Sequence, residues 1–533
     1  MQSLLLTRAL RRDSTLLPPS RTPADPAHLH PASSRSSTTI AEDGNGAAEC
    51  AGTPEKQVKT EEQDLFLVDF VPNDPLDPKN WSLTRRWIYT FMIAHIALAV
   101  GVAGAINSAA APFAAEALGV SEEVALLDTA LFLTGFGVAA PIVGPLSEVA
   151  GRNPVYIITL LLFTLFEIGA ACTTTIYARC IVRFFAGLAG ATPLSNAGGS
   201  LADMWRPSER VFAFPAFAVS GFLGPAIGPV LGGWIGERYR YEWCDWVTAI
   251  WGALVLVTTA LFLPETLAPA ILKLKAQAIR KRTGDDRYRT ALEKLREQIP
   301  FRVHFVDALQ RPFKMLVLEP IVIFFSLYMS VVYIVLFGDL VAYSYIFEPY
   351  SLSDGVLGLT FLAIIVGLLI MGALIPLIYR FHLRAEAKAE REGRSLQPEQ
   401  HLWIAMWGTW LIPISLFWGA WTSRESISIW STLVSQVLFG TGILAVFIAS
   451  YQYMIDAYLA TAASALAVLT FVRYPISGGA VLFTGPMYKS LGRHWAMSLL
   501  AFISLAMSAI PFVFYRYGPR IRSWSRYTPK VNL

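Results

Sequence analysis

Hydrophobic residues in this chain come in long unbroken runs rather than in the alternating stripes of a soluble fold. Twelve runs reach about twenty residues, the length of a helix that crosses a bilayer. They fall at roughly 87–110, 124–145, 154–172, 177–203, 211–235, 245–263, 321–345, 356–379, 402–421, 429–457, 462–485 and 495–516. The pattern predicts an all-α membrane protein with twelve transmembrane helices. The fifth run holds Gly221, Gly224, Gly228 and Gly232 at three- and four-residue spacing, which places them on one helix face. A face without side chains lets a neighbouring membrane helix approach closely. Pro225 and Pro229 add bends to the same helix. Two readings stand open: a bent seam about which two halves of a transporter move, or a tight contact that never moves.

Charge orients the pattern. The loop between the sixth and seventh runs is the longest and carries Lys273, Lys275, Arg280, Lys281, Arg282, Arg287, Arg289, Lys294, Arg296, Arg302, Arg311 and Lys314. Basic loops stay in the cytosol, so this loop and, with an even number of crossings, both termini are expected there. Arg85, Arg86, Arg152, Arg206, Arg210, Arg380, Arg384, Arg516, Arg520 and Arg522 fall on the same side. Arg179, Arg238, Arg240, Arg424, Lys489 and Arg493 run against the trend. Six runs, a basic loop and six more suggest two pseudo-symmetric six-helix bundles with a binding site between them. The expected organisation is a disordered tail over 1–80, a first bundle over 81–263, a basic loop over 264–320, a second bundle over 321–517 and a short tail over 518–533. Within the loop, the stretch from Ala270 to Ile299 reads as amphipathic helix lying along the inner membrane face.

Composition narrows the function. Of 533 residues, 54% are hydrophobic and 15% charged, against roughly 25% charged in soluble domains. A net charge of +4 is too small to imply a nucleic-acid partner. Cys50, Cys172, Cys180 and Cys244 show neither metal spacing nor a disulfide framework; packing sulfurs are expected, with an outer disulfide among Cys172, Cys180 and Cys244 as the alternative. There is no nucleotide loop and no nucleophile–base arrangement, so neither an enzyme nor a cofactor or metal site is expected.

Several short motifs give the chain a family likeness. Gly144-Pro-Leu-Ser-Glu148-Val-Ala-Gly151-Arg152 joins runs two and three, Arg183-Phe-Phe-Ala-Gly187 lies in run four, and Gly224-x-x-x-Gly228-Pro229-x-x-Gly232-Gly233 lies in run five. With Asp77-Pro78-Lys79-Asn80-Trp81-Ser82, Pro193-Leu-Ser-Asn196-Ala-Gly-Gly199, Asp203-Met-Trp205, Leu263-Pro264-Glu265-Thr266 and Asp456-Ala-Tyr458, the chain from about Asp77 to Tyr517 resembles the major facilitator superfamily. Within it, the likeness is to fungal twelve-span drug:proton antiporters, the polyamine and cycloheximide-type exporters. The chain departs from the usual loop motif at Glu148, Val149 and Asn153. The resemblance implies the major facilitator fold, no cofactor beyond a proton gradient, and a monomeric transporter in the plasma membrane or, alternatively, the vacuolar membrane.

Candidate residues follow. Gly144 and Gly151 would permit a tight turn, Glu148 would face a helix N-terminus of the opposite half, and Arg152 would pair with Glu148 or Asp203 as a gate latch. The alternative for Arg152 is simple anchoring at the membrane face. Arg183, ionisable within the bilayer, is either part of a proton path, as the resemblance implies, or a structural group bonded to carbonyls. Asp128 either takes up a proton or caps its helix. Glu167 is expected to make a structural pair, and His95 to be a packed histidine. Asn107, Asp339, Tyr343, Tyr451, Gln452 and Asp456 lie on runs that line the cavity in the family, where aromatic faces would hold flat or cationic molecules. The favoured function is proton-coupled efflux of a small organic molecule, whether a drug, a toxin, a secondary metabolite or a polyamine, by alternating access. A facilitative or uptake carrier for a nutrient is the alternative, and a membrane sensor or enzyme the remote one.

Overall fold

The structure is a computed structural model and describes residues 66–298, 301–392 and 397–528. The chain divides into two compact units, Met1–Asp77 with Ala268–Phe301, and Pro78–Leu267 with Arg302–Leu533.

In the smaller unit the short strand Phe66–Leu67 pairs in parallel with Tyr288–Arg289. The helix Ala268–Thr283 turns Ala276 and Ile279 onto Val68, with Leu76 and Tyr288 packed around them. Lys275 reaches from the same face to Asp74, Nζ to Oδ2 2.6 Å, and both groups are buried. The expected tail thus ends earlier than residue 80. Residues 1–65 lie outside the described residues, but 66–80 hold a strand, a buried acid and the 3-10 turn Pro78–Asn80. Val68 packs on Ala276 and Ile279 of the basic loop and Asp74 pairs with Lys275 there, a meeting that local composition does not reveal. The loop helix itself is broken: Gly284 takes φ 68° and ends the first segment before Ala291–Gln298 begins. On the solvated side of this unit Arg280 holds Glu293 at 3.0 Å. Partial burial opposes ionisation of Glu293, but hydrogen bonds from Arg280 and the Thr290 backbone outweigh it and lower its pKa.

The larger unit is almost entirely helix, because a backbone in hydrocarbon must satisfy its own hydrogen bonds. Among the described residues ten helices are long and apolar enough to cross a membrane. They are Leu83–Ala109, Glu122–Ala150, Arg152–Cys172, Pro207–Arg238, Trp243–Phe262, Pro320–Tyr350, Asp354–Ala389, Pro398–Thr422, Ile429–Tyr458 and Ala462–Trp524. The last is two crossings, because Gly492 at φ 72° and ψ 158° breaks it. Ile176–Gly190 and Thr192–Met204 follow one another across Ala191 and make a further crossing. This arrangement accords with twelve spans, numbered here in chain order. Spans three and six leave Ile158, Leu161, Leu165, Ile250, Leu254 and Val257 exposed, as lipid-facing helices do. Spans seven and ten are the most enclosed of the second half. Among the described residues Cys172, Cys180 and Cys244 are free thiols, and Cys50 lies outside them.

Span five runs unbroken from Pro207 to Arg238 despite Pro215, Pro225 and Pro229. Its glycines serve two neighbours. A Cβ on Gly224 would sit 2.7 Å from Gly101 Cα, one on Gly228 2.8 Å from Ala105 Cβ, and one on Gly232 2.0 Å from Ile106 O. All three approach span one, in the same half of the molecule. The contact across the halves comes from Gly233 against Asp354 O, and from Pro229 O against Gly358 of span eight. The glycine row therefore packs on span one, with the contact to the other half on the adjacent face. Gly221 has open space beside it.

Gly232→Val should force spans one and five apart, at a cost of about 1–3 kcal/mol or more. Gly221→Ala should be accepted. Folded yield and thermal unfolding of the detergent-solubilised protein, compared between the two, check this.

Candidate functional site

Span four carries Arg179 and Arg183, four residues apart and so on one helix face. Both are buried, and three carboxylates from three other spans converge on them. Asp128 sits in the first turn of the helix Leu127–Ala150 and splits its oxygens, Oδ1 to Arg183 Nε at 2.6 Å and Oδ2 to Arg179 Nε at 2.5 Å. Glu167 of span three accepts from Arg183 Nη1 at 2.7 Å and from Thr248 Oγ1 at 2.9 Å. Asp245 of span six lies 2.6 Å from Arg179 Nη2. Asn107 of span one donates to Asp245 at 2.8 Å and to Asp128 at 3.2 Å. Of the two roles open for Asp128, its oxygens point at guanidiniums rather than at its own backbone. Arg183 both pairs with carboxylates and donates through Nη2 to Ala103 O at 2.6 Å. Glu167 makes the pair expected of it.

Three carboxylates against two guanidiniums leave one negative charge over if every group is ionised, and in a low-dielectric interior an unmatched charge costs several kcal/mol. The cluster also touches the centre of the molecule. Arg183 lies over the Phe132 ring at 4.4 Å, and Phe132 packs against Gly104 of span one. Phe132, Gly101, Gly104, Gly221, Phe337 and Tyr474 line a small central cavity of about 20 Å³, room for one water.

The second-half candidates do not form one site. Tyr451 stacks on Phe214 and Phe447 near the centre, at 5.7 and 4.1 Å. Gln452 donates to Val211 O of span five at 3.2 Å. Asp456 lies a turn further on, half-buried at the helix end, with Oδ2 2.7 Å from His401 Nε2; it does not face the cavity. Asp339 and Tyr343 are buried, and neither Asp339 Oδ2 nor the Tyr343 hydroxyl has a hydrogen-bond partner. Tyr343 is stacked on Phe361 at 3.9 Å. His95, expected to be packed, instead lies exposed on span one and accepts from Trp251 Nε1 at 3.0 Å.

The loop motif is rearranged relative to expectation. Gly144 lies inside the helix Leu127–Ala150 with open space around it, so the turn rests on Gly151 alone, at φ 98°. Arg152 takes Asp203, at 3.3 Å, and Ser147. Glu148 is exposed and, among the described residues, has no ion-pair partner. The organising acid is instead Glu265, which accepts from the backbone N–H of Arg152, Asn153, Thr266 and Leu267 at 2.9–3.2 Å. It caps span three and pins the end of span six to it. A carboxylate facing a helix N-terminus of the opposite half does occur, but it is Glu237, accepting from Gly355 N at 2.6 Å. That contact and Lys489–Glu123 at 3.0 Å close the halves at one end of span five. Gln452–Val211 and the Phe212–Tyr379 ring contact, at 5.4 Å, close them at the other. The cavity is thus sealed from both sides.

Sequence reasoning passed over Arg179, Asp245 and Arg473. Arg179 stood out only as a charge on the wrong side of the membrane. Its four-residue spacing from Arg183 was the available signal. Arg473, an ionisable group inside the run 462–485, and Asp245, at the start of the run 245–263, carried the same signal as Arg183.

A family model described as Major Facilitator Superfamily matches residues 92–482. The MFS-type transporter kojT of Aspergillus flavus is 42% identical over 470 residues, covering 87% of this chain and 83% of that protein. The MFS-type efflux pump MFS2 of Trichophyton rubrum is 36% identical over 472 residues, covering 88% and 79%. Among solved structures, the proton:xylose symporter XylE superposes with a TM-score of 0.56 at 14% identity, over 82% of this chain and 96% of that one, a likeness of fold.

Arg183→Met leaves three buried acids facing one guanidinium and should destabilise by about 3–5 kcal/mol. Asp245→Asn removes the surplus charge while keeping the shape, and should fold as well as the parent. Size-exclusion profiles of the detergent-solubilised variants check the contrast.

Proposed function

The chain belongs to the Major Facilitator Superfamily and is a multi-pass membrane transporter, and on that footing we propose that it exports a small organic molecule in exchange for protons. The observation that carries the reading is the surplus carboxylate in the ion cluster around Arg179 and Arg183. One bound proton balances the cluster, and its loss leaves a charge that only rearrangement or another proton can relieve. The cluster is mechanically joined to the cavity. Arg183 holds Ala103 O, and Ala103 is the last residue of the helix Leu83–Ala103, next to the cavity-lining Gly104. A change in how firmly Arg183 is held therefore acts on span one, on which span five packs through its glycines.

In this reading a proton arriving from the acidic side neutralises the cluster and favours the state open to the interior. Cargo entering from the interior favours the state that gives the proton up. Coupling requires each ligand to bind the two states differently. The contacts at both ends of span five supply the parts of a two-gate cycle, with Arg152–Asp203 beside one gate. The likeness to the efflux pump of Trichophyton rubrum supports outward movement. The basic-residue asymmetry supports cytosolic termini, and the plasma membrane is the proposed location, with the protein working as a monomer.

Everted vesicles containing the protein should accumulate cargo when their lumen is acidic. Collapsing the pH gradient with an ionophore should stop accumulation, and Glu167→Gln or Asp245→Asn should weaken its dependence on the gradient. Undiminished accumulation after collapse of the gradient rules out proton coupling.

A further inference from the structure

Among the described residues six arginines are buried. Arg86, Arg152, Arg179, Arg183 and Arg522 each pair with a carboxylate. Arg473 does not. It is fully buried in span eleven, its Nε and Nη1 have no well-aligned hydrogen-bond acceptor, and Nη2 reaches Thr470 Oγ1 at 3.5 Å, with the neutral hydroxyls of Tyr451 and Tyr474 close by. What surrounds it is aromatic: Tyr333 at 4.4 Å, Tyr451 and Tyr474 at 5.3 Å, and Phe447 at 5.4 Å from the guanidinium carbon to each ring centre. Ring faces offset part of the desolvation of a cation, but they do not replace an anion.

The cage sits where the two halves meet. Tyr474 is shared between the cage and the wall of the central cavity. Phe136 of span two stacks on Tyr474 at 4.3 Å. Phe222 of span five meets Tyr333 at 5.7 Å and Phe447 at 4.8 Å. First-half rings therefore cover a second-half cation, and parting the halves would uncover it.

We propose that Arg473 and its aromatic cage form the cargo-binding point of the central cavity, and that the cargo is a flat aromatic organic acid carried as its anion. The carboxylate takes the unused donors of the guanidinium, a charge-assisted contact that is strong in a dry site. The ring of the cargo takes the place that Phe136 or Phe222 occupies against the cage in the closed state, so one molecule meets both the charge and the stacking surface. A polyamine would bring further positive charge to an unpaired cation and is disfavoured there. As a statement about cargo this rests on the export reading; as a statement about binding it stands apart from it.

The test uses the full-length protein in nanodiscs at pH 7, titrated with 2-naphthoate, with 2-naphthamide as the neutral isostere and with 2-naphthylmethylamine as the cation. The wild type should bind the acid at least tenfold tighter than the amide, with the amine weaker still. Arg473→Gln should lose at least tenfold in affinity for the acid and little for the amide, and Arg473→Lys should retain part of the preference. Without ligand, Arg473→Gln should unfold at the same or a higher temperature than the wild type, because an unmatched buried charge is gone; that separates lost binding from lost structure. Equal affinity for acid and amide, no binding of the acid by the wild type, or acid binding undiminished in Arg473→Gln overturns the proposal. Naphthoate flux in vesicles tests the export reading separately. Arg473-dependent binding with flux indifferent to the pH gradient would sink proton exchange and leave the anion site standing.

Discussion

A charge removed from water must be matched close by, and in this molecule that constraint ties four spans to a fifth. Arg179 and Arg183 on span four are held by acids from spans two, three and six, with Asn107 of span one as the bridge. No member can be moved without exposing the charge of another. The cluster thus fixes the rotation of each helix about its axis, something apolar packing against lipid cannot do, because lipid tails are as apolar as the side chains they meet. In the proposed cycle the imbalance of acids over bases makes the same cluster the proton site, so one arrangement would serve both assembly and coupling.

Glycine supplies the complementary constraint. Gly224, Gly228 and Gly232 bring span five so close to span one that a side chain at any of them would meet its backbone or Ala105. The hinge surface is the neighbouring face, where Gly233 and Pro229 meet span eight. The sealing contacts sit at the two ends of span five and are few: backbone hydrogen bonds to Glu237 and Gln452, one exposed ion pair and a ring contact. Exposed ion pairs contribute little, so the Lys489–Glu123 pair adds little to holding that end together.

Arg473 is the counterpart of the ion cluster on the other side of the cavity. The cluster carries one acid too many and Arg473 one base with no acid. Neither is relieved by the protein alone, and the central cavity lies between them. Proposed proton site and proposed anion site are therefore opposite in sign and placed in opposite halves, which gives binding of an organic anion and release of a proton different consequences for the two halves.

The crossings, their approximate boundaries and the membrane class were legible because apolar run length is a one-dimensional property, read without knowing what touches what. Arg183, Asp128 and Asn107 were also legible, since any polar group in such a run stands out. Which acid meets which base was not, because pairing depends on the rotation and depth of helices far apart in sequence: Glu265 reaches Arg152 across 113 positions, and Asp245 reaches Asn107 across 138. Gly144 and Gly151 look alike in the motif, yet only Gly151 takes a positive φ, because the helix of span two continues through the first and stops at the second. The isolation of Arg473 is a fact about its surroundings, and surroundings exist only once the helices have packed.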